Sequence, residues 1–436
     1  MRGVLHRVST PLGVHLLTLV AAAVFLTLLG SQQWFWMDEF AFIKTEAPHI
    51  LWGNLGHLSI APWIMYRALL PVFGLDAYLP YVTFAIAAHL AAAHLLWRLI
   101  RRWGAWRATL LVGVFLVMTP AAENVLWAFQ MAFVGSLALG LGAILMVDRP
   151  RPRWARVIGA ILLLLAGLAF SGPAIPMVLA AALIVLHRAG WIKALVVVLS
   201  TAIPWLMWYL AFSRLGDRPP TYGATSPADL PRVLEMASLM PIEAVEQILP
   251  VKFLGAAVLT AWLVWLVMRA AQFRADRFAA IALVASGAMF ALMTSISRLN
   301  FGVESAGAGR YVYAIAVFLL PSVALGISEI HLDRIGRVAG ATFMVATIAV
   351  NAVGLANAAV DHARRASAIP STWSAAVDLY RRHPDSVATT TWVPPGDGVQ
   401  FVTITDLIEL VESGLFSPVA YTYAESEVAR TTLTTR

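Results

Sequence analysis

The side chains best suited to chemistry sit in short polar stretches between long apolar runs. The sharpest of these is Trp36-Met37-Asp38-Glu39-Phe40. Two adjacent carboxylates beside a membrane surface are costly unless they are solvated or paired. A carboxylate held there, partly out of water, binds its proton more tightly and can act as a base on a hydroxyl group. The plainer alternative is a pair of interfacial acids facing water. Farther along the same stretch come His49, Asn54, His57, Ser59 and Pro62. His57 with Asp38 suits an acid–base pair or part of a metal site, the plainer reading being a solvated loop histidine. The spacing matches no metal motif, and no second His or Cys stands at helical ligand spacing.

Two further stretches carry charge. Ala121-Ala122-Glu123-Asn124-Val125-Leu126-Trp127 places a carboxylate beside an aromatic, as a substrate contact would. It equally suits an acid at a helix N-terminus facing the dipole. Between Ser297 and Tyr313, Arg298 and Arg310 bracket a glycine-rich bend, and Tyr311 follows the second arginine. Arginine offers donors in a fixed fork that matches phosphate oxygens, and it cannot discharge by losing a proton. Snorkelling toward headgroups is the alternative. An arginine on the outer side of a span runs against the positive-inside bias, which favours a function for Arg310.

These stretches are positioned by a membrane scaffold. Of 436 residues, 60% are hydrophobic and 13% charged, against about a quarter charged in a soluble domain. The charges cluster between apolar runs of bilayer length, which predicts about eleven transmembrane helices. The runs are 11–30, 77–98, 107–120, 130–147, 157–171, 176–187, 193–212, 253–269, 278–296, 311–328 and 338–359. The first resembles a signal peptide but lacks a clean cleavage site, and Trp34, Phe35 and Trp36 form an interfacial belt, so it reads as a retained anchor. Arg98, Arg101, Arg102 and Arg107 form one basic cluster, and Arg149, Arg151, Arg153 and Arg156 another. Arg188 with Lys193, the group Arg269, Arg274 and Arg277, and Arg334 with Arg337 continue the series. They alternate with spans as a cytoplasmic face should, which predicts an inner (plasma) membrane protein with its N-terminus inside and its C-terminus outside. The net charge of +7 is thereby assigned to lipid headgroups and not to nucleic acid.

Three outer segments exceed simple turns: 31–76, 213–252 and 360–436. Within the first, residues 60–74 suit a helix lying in the membrane plane. The tail reads as a small α/β unit, with helices over 372–382 and 404–412 and a strand over 387–393. The expected fold is therefore an all-α polytopic membrane domain over 1–359 and a small extracytoplasmic region over 360–436. His89 and His94 read as packing or helix–helix hydrogen bonds, and Ser136 with Gly140 as a close helix crossing. No Walker loop, dinucleotide glycine fingerprint or Gly-x-Ser-x-Gly elbow is present, and the absence of cysteine excludes disulfides and thiolate metal sites.

In this layout the chain resembles the GT-C superfamily of membrane glycosyltransferases. That group includes protein O-mannosyltransferases, aminoarabinose transferases of lipid A, and actinobacterial arabinofuranosyl and mannosyl transferases. The likeness lies in the order of parts. A first span leads into a long outer loop that opens on Asp38-Glu39 and holds an in-plane helix. Many spans follow, then Arg310-Tyr311 at the outer start of a late span, then an outer tail. The resemblance implies that Asp38 is the catalytic base, with Glu39 as partner or substitute. It implies a polyprenyl-phosphate sugar donor and a glycan, lipid or protein acceptor. Arg310, with Arg298, would stabilise the departing phosphate, while His57, Glu123, Trp127 and Tyr311 complete the substrate contacts. Trp127 or Trp34 would stack on a sugar. Metal-dependent members carry a second acidic motif of the Asp-x-Asp type, and here only Glu123 stands, so no metal and no other cofactor is required. A transporter or flippase of lipid-linked sugars is the main alternative, but it should carry ionisable groups at mid-span, where this sequence has almost none. An O-antigen polymerase or ligase and a non-catalytic scaffold are the others.

Overall fold

The computed structural model describes residues 10–44, 49–53, 57–213, 215, 223–224, 226–249, 253–269, 277–387, 393 and 402–433; Asn54 and residues 388–392 lie outside them. Lipid offers no water to backbone N–H and C=O groups, so each apolar run must close its own hydrogen bonds as a helix. Helix α1, Pro11–Gly30, starts at Thr10, whose hydroxyl accepts the Gly13 N–H at 3.1 Å. The others are α2 (Ile60–Phe73), α3 (Leu79–Ile100), α4 (Ala105–Val117), α5 (Met131–Val147), α6 (Trp154–Phe170), α7 (Ala174–Ala189) and α8 (Trp191–Phe212). Then come α9 (Leu230–Ile248), α10 (Gly255–Arg269), α11 (Phe278–Arg298), α12 (Gly309–Glu329), α13 (Arg334–Arg382), α14 (Ile404–Glu412) and α15 (Tyr423–Leu433).

Seven helices among the described residues are long and apolar enough to cross a membrane: α1, α3, α5, α8, α11, α12 and α13. An eighth crossing forms if α4 continues through its 51° bend into Thr119–Val125. Three of the expected spans correspond to shorter helices, α6, α7 and α10, of 17, 16 and 15 residues. At ~1.5 Å per residue these reach about 22–26 Å, under the ~30 Å of a hydrocarbon core. Ser171-Gly172-Pro173 trims two of them, ending α6 and starting α7. Helix α2 falls on the expected 60–74 stretch, and its 14 residues are too few to cross.

Helices α3, α5, α7 and α12 form the interior, and α1, α8 and α13 expose apolar side chains such as Val20, Leu28, Met207 and Leu210, as lipid-facing helices do. Gly140 on α5 lets Met177 of α7 lie against its backbone, where a Cβ would collide, so this small residue marks a close crossing. His89 is fully satisfied between helices: Nδ1 is 2.9 Å from the Tyr313 hydroxyl and Nε2 3.1 Å from the Leu116 carbonyl. His94 meets His15 of α1 at 3.3 Å.

At the arginine-bearing face, Asp148 accepts from Arg102 at 2.5 Å and from Arg188 at 2.7 Å, joining the ends of α3, α5 and α7. At the opposite face the tail departs from expectation. Residues 372–382 are the last turns of the 49-residue α13 and not a helix of their own. No strand forms among the described residues; Val387 and Thr403 are isolated bridge positions, and the Val393 N–H donates to the Val402 carbonyl at 2.9 Å. The strand expected over 387–393 falls, apart from Val387 and Val393, outside the described residues. The described parts of the tail are mostly helical.

The Asp148 clasp is testable. Asp148→Asn leaves two guanidiniums facing an uncharged amide, and removing one partner of a buried pair costs about 3–5 kcal/mol. Thermal unfolding in detergent should show a clearly lowered midpoint, whereas an unchanged midpoint would show the clasp to be dispensable.

Candidate active site

The chain leaves α1 and turns sharply. Met37 adopts a left-handed φ of 47°, and the Phe40 N–H donates back to the Met37 carbonyl at 3.2 Å. The helical turn Phe40–Ile43 that follows is wholly buried, which pins the segment. This geometry parts the two acids. Glu39 points inward and is fully buried, while Asp38 stays half-buried.

Glu39 is the hub of a polar cluster. Its carboxyl receives the Trp36 N–H at 2.7 Å and the Tyr78 hydroxyl at 3.1 and 3.3 Å, and it pairs with the Tyr66 hydroxyl. Tyr78 in turn accepts the Ala128 N–H at 2.7 Å, and the Trp127 indole donates to the Trp36 carbonyl at 3.1 Å. The hub thereby ties the Asp38 turn to α2, to the start of α3 and to the loop before α5. Burial outweighs these bonds and pushes the Glu39 carboxyl up to about 8, so the acid is neutral at pH 7. It has no exposed side, and its place is structural. Trp127, buried by the same contact, braces the turn. Trp34 does likewise through the Leu75 carbonyl at 3.1 Å and through Trp373, which it meets edge-on at 5.7 Å. Neither indole is placed to stack freely on a sugar.

The Asp38 backbone carbonyl accepts the Ala41 N–H at 3.3 Å, and its carboxylate accepts no hydrogen bond from a described residue. Burial raises its pKa above the ordinary carboxylate value, and the positive charges of Arg310 and then Arg298 pull it back down. The two arginines come from opposite ends of the same bend, Arg298 closing α11 and Arg310 opening α12. Glu123 aims Arg310, its Oε2 accepting the backbone N–H at 3.1 Å and lying 3.4 Å from the guanidinium. Gly309 permits this approach, because a Cβ there would sit 2.6 Å from the Pro120 carbonyl and 3.4 Å from the Glu123 carboxyl carbon. Tyr311 is buried beneath the guanidinium, 4.9 Å from ring centre to Arg310 Cζ. Arg298 donates to His57 Nε2 at 3.1 Å. Burial first, then Arg298, lowers the His57 pKa to about 4, so the ring is neutral with its proton on Nδ1. His57 and Glu123 keep water-accessible surface, and Asp38 and Arg310 keep some, although burial dominates the ionisation of His57 and Asp38. Among the described residues no three His, Asp or Glu side chains gather as metal ligands.

The expected site residues therefore fall into two groups. Asp38, Arg310, Arg298, His57 and Glu123 are joined in one charged cluster; Glu39, Trp127 and Tyr311 are buried. Tyr66 and Tyr78 escaped the reading of the sequence. A buried acid needs donors, and both tyrosines lie in the same outer segment, but nothing in their spacing singles them out.

The fold and site define an all-α polytopic membrane protein with a carboxylate and two arginines at the face opposite its basic clusters. No family model matches the chain, and no curated protein matches it. Among solved structures, ArnT from Cupriavidus metallidurans bound to undecaprenyl phosphate is similar, with 13% identity, a TM-score of 0.48, and 95% of this chain and 87% of that one covered.

The Glu39 hub sets a pH signature. Its folded pKa lies above the unfolded value near 4.5, so its contribution is fully present below that value and is lost as pH rises toward about 8. Stability of the wild type should fall across this window by up to ~1.4 kcal/mol per pH unit. Glu39→Gln keeps a neutral hydrogen-bonding group and should flatten the slope. Chemical unfolding at several pH values reads the difference, and equal slopes for both proteins would remove the neutral hub.

Proposed function

We propose that this protein is a membrane glycosyltransferase of the GT-C type, moving a sugar from a polyprenyl-phosphate donor to a hydroxyl on an extracytoplasmic acceptor. One observation carries the reading: the Asp38 carboxylate, half-buried and without a hydrogen bond from a described residue, lies in the field of the Arg310 and Arg298 charges. A base with raised proton affinity and a fixed pair of cations are what transfer from a phosphate leaving group requires. The positive-inside bias favours a cytoplasmic place for the arginine clusters and an outer place for Asp38 and Arg310. Nucleotide sugars are not available there, which favours a lipid-linked donor.

In the reaction, the Asp38 carboxylate takes the proton of the acceptor hydroxyl. The hydroxyl oxygen bonds to the anomeric carbon as the bond from that carbon to the phosphate oxygen breaks. The lipid phosphate leaves with the electron pair, through an oxocarbenium-like state at the sugar. Arg310, aimed by Glu123, meets the charge growing on the phosphate. Arg298 and the neutral His57 supply a second set of donors beside it. The prenyl chain remains in lipid beside α2.

Two outcomes test this. Asp38→Asn should fold and insert normally yet lose transfer from a polyprenyl-phosphate sugar by about 10²–10⁴-fold, the scale of a lost general base; full activity would take Asp38 out of the mechanism. Arg310→Ala should weaken binding of undecaprenyl phosphate far more than binding of the acceptor, and equal losses would count against a phosphate role. Both are read by release of undecaprenyl phosphate from a panel of lipid-linked sugars. A chelator should leave the rate unchanged, and loss of rate restored by a divalent cation would overturn the metal-free mechanism.

A further inference from the structure

A second polar arrangement borders the Asp38 turn, between the end of α1 and α13. The Gln33 side-chain nitrogen lies 3.0 Å from the Leu29 carbonyl and 3.2 Å from the Ala359 carbonyl. Only an NH2 group can face two carbonyls, so the amide oxygen is the atom turned toward His362, 2.7 Å from Nδ1. That oxygen cannot donate. Nδ1 must therefore carry the imidazole proton, which leaves Nε2 of the neutral ring with a lone pair.

His89 shows how this fold treats a structural histidine, with both nitrogens bonded. His362 differs. Its Nε2 has no partner among the described residues and is not among the polar atoms sealed from water. The ring meets Trp36 edge-on, with centroids 5.7 Å apart. Trp36 is half-buried, and its own N–H and C=O are taken by Glu39 and Trp127, so the backbone that carries the indole is fixed. An unprotonated nitrogen repels an anion and welcomes an O–H donor. A nearby indole offers an apolar face to the C–H side of a ring.

We propose that Trp36 and His362 form a carbohydrate subsite beside Asp38, in which His362 Nε2 accepts a sugar hydroxyl and Gln33 fixes the tautomer that makes this bond available. The inference rests on the glycosyl-transfer reading and adds a recognition element to it. The hydroxyl belongs either to the donor sugar or to the acceptor.

The test uses the full chain labelled with ¹⁵N-histidine in lipid nanodiscs, with a His362→Gln difference spectrum to identify the resonance. The free protein should show Nδ1 protonated and Nε2 unprotonated. Methyl glycosides of hexoses and pentoses, or a lipid-linked sugar, should shift Nε2, whereas undecaprenyl phosphate alone should not. In steady state, His362→Ala should raise KM for the hydroxyl-bearing substrate about tenfold, the loss of roughly one hydrogen bond. Affinity for undecaprenyl phosphate should be unchanged, and Gln33→Leu should give a smaller loss. A change also seen in donor hydrolysis without acceptor assigns the donor sugar, and one confined to transfer assigns the acceptor; both support the subsite. An Nε2 signal unmoved by every sugar, or an equal loss of undecaprenyl phosphate binding, overturns it while transfer by Asp38 stands. Sugar-shifted Nε2 without any transfer keeps the subsite and removes the reaction.

Discussion

The outer face is organised around a carboxylic acid that has no access to water. Glu39 is buried, with no cation beside it among the described residues, and such a group is tolerated only when neutral and fully hydrogen-bonded. Meeting that demand recruits Tyr66 from α2, Tyr78 from the start of α3 and the Trp36 backbone, and Tyr78 brings in Ala128. Four pieces of chain distant in sequence are thus indexed to one carboxyl. The strained Met37 turn is held by the same contacts, and with it the direction in which Asp38 points.

Arg310 is indexed to the same hub by a short covalent path. Ala128 and Trp127, which brace the turn, lie a few residues after Glu123, which orients Arg310. Base and cation are therefore not set by two independent loops. A further brace comes from the tail. Trp373 of α13 is fully buried against Phe40, with centroids 5.1 Å apart, and against Phe416 at 5.5 Å. The Leu75 N–H donates to the Leu415 carbonyl at 2.8 Å, and the Ser417 hydroxyl to Asp76 at 3.0 Å, which fastens the tail to the end of α2. The outer segments behave as one support and not as separate loops.

Much of this was legible in the residues. Apolar length and arginine placement located a helix on every expected span and on the 60–74 stretch, because lipid forces long apolar runs to close their own hydrogen bonds. The shortening of α6 and α7 was also written in Ser171-Gly172-Pro173. In the tail the helix over 404–412 was legible, whereas 372–382 proved to be the end of a much longer helix, which its local spacing could not show. In the site, Asp38, Arg298, Arg310, His57 and Glu123 stood out because charge in an apolar chain is conspicuous. Tyr66, Tyr78, Gln33 and His362 did not, since their roles come from partners as far as 329 residues away.

The sequence alone therefore determined which segments enter lipid and which polar groups are left at the faces, both being matters of local hydropathy and charge. Only the tertiary structure decided the division of labour between the adjacent acids. Asp38 and Glu39 are nearly identical in chemistry, and one peptide unit separates them. A left-handed turn and a cage of tyrosines send one into the interior as a neutral pin and leave the other half-buried in the field of two arginines. Proton affinity depends on burial and neighbouring charge, and those are set by the three-dimensional arrangement of distant chain, not by the residue itself.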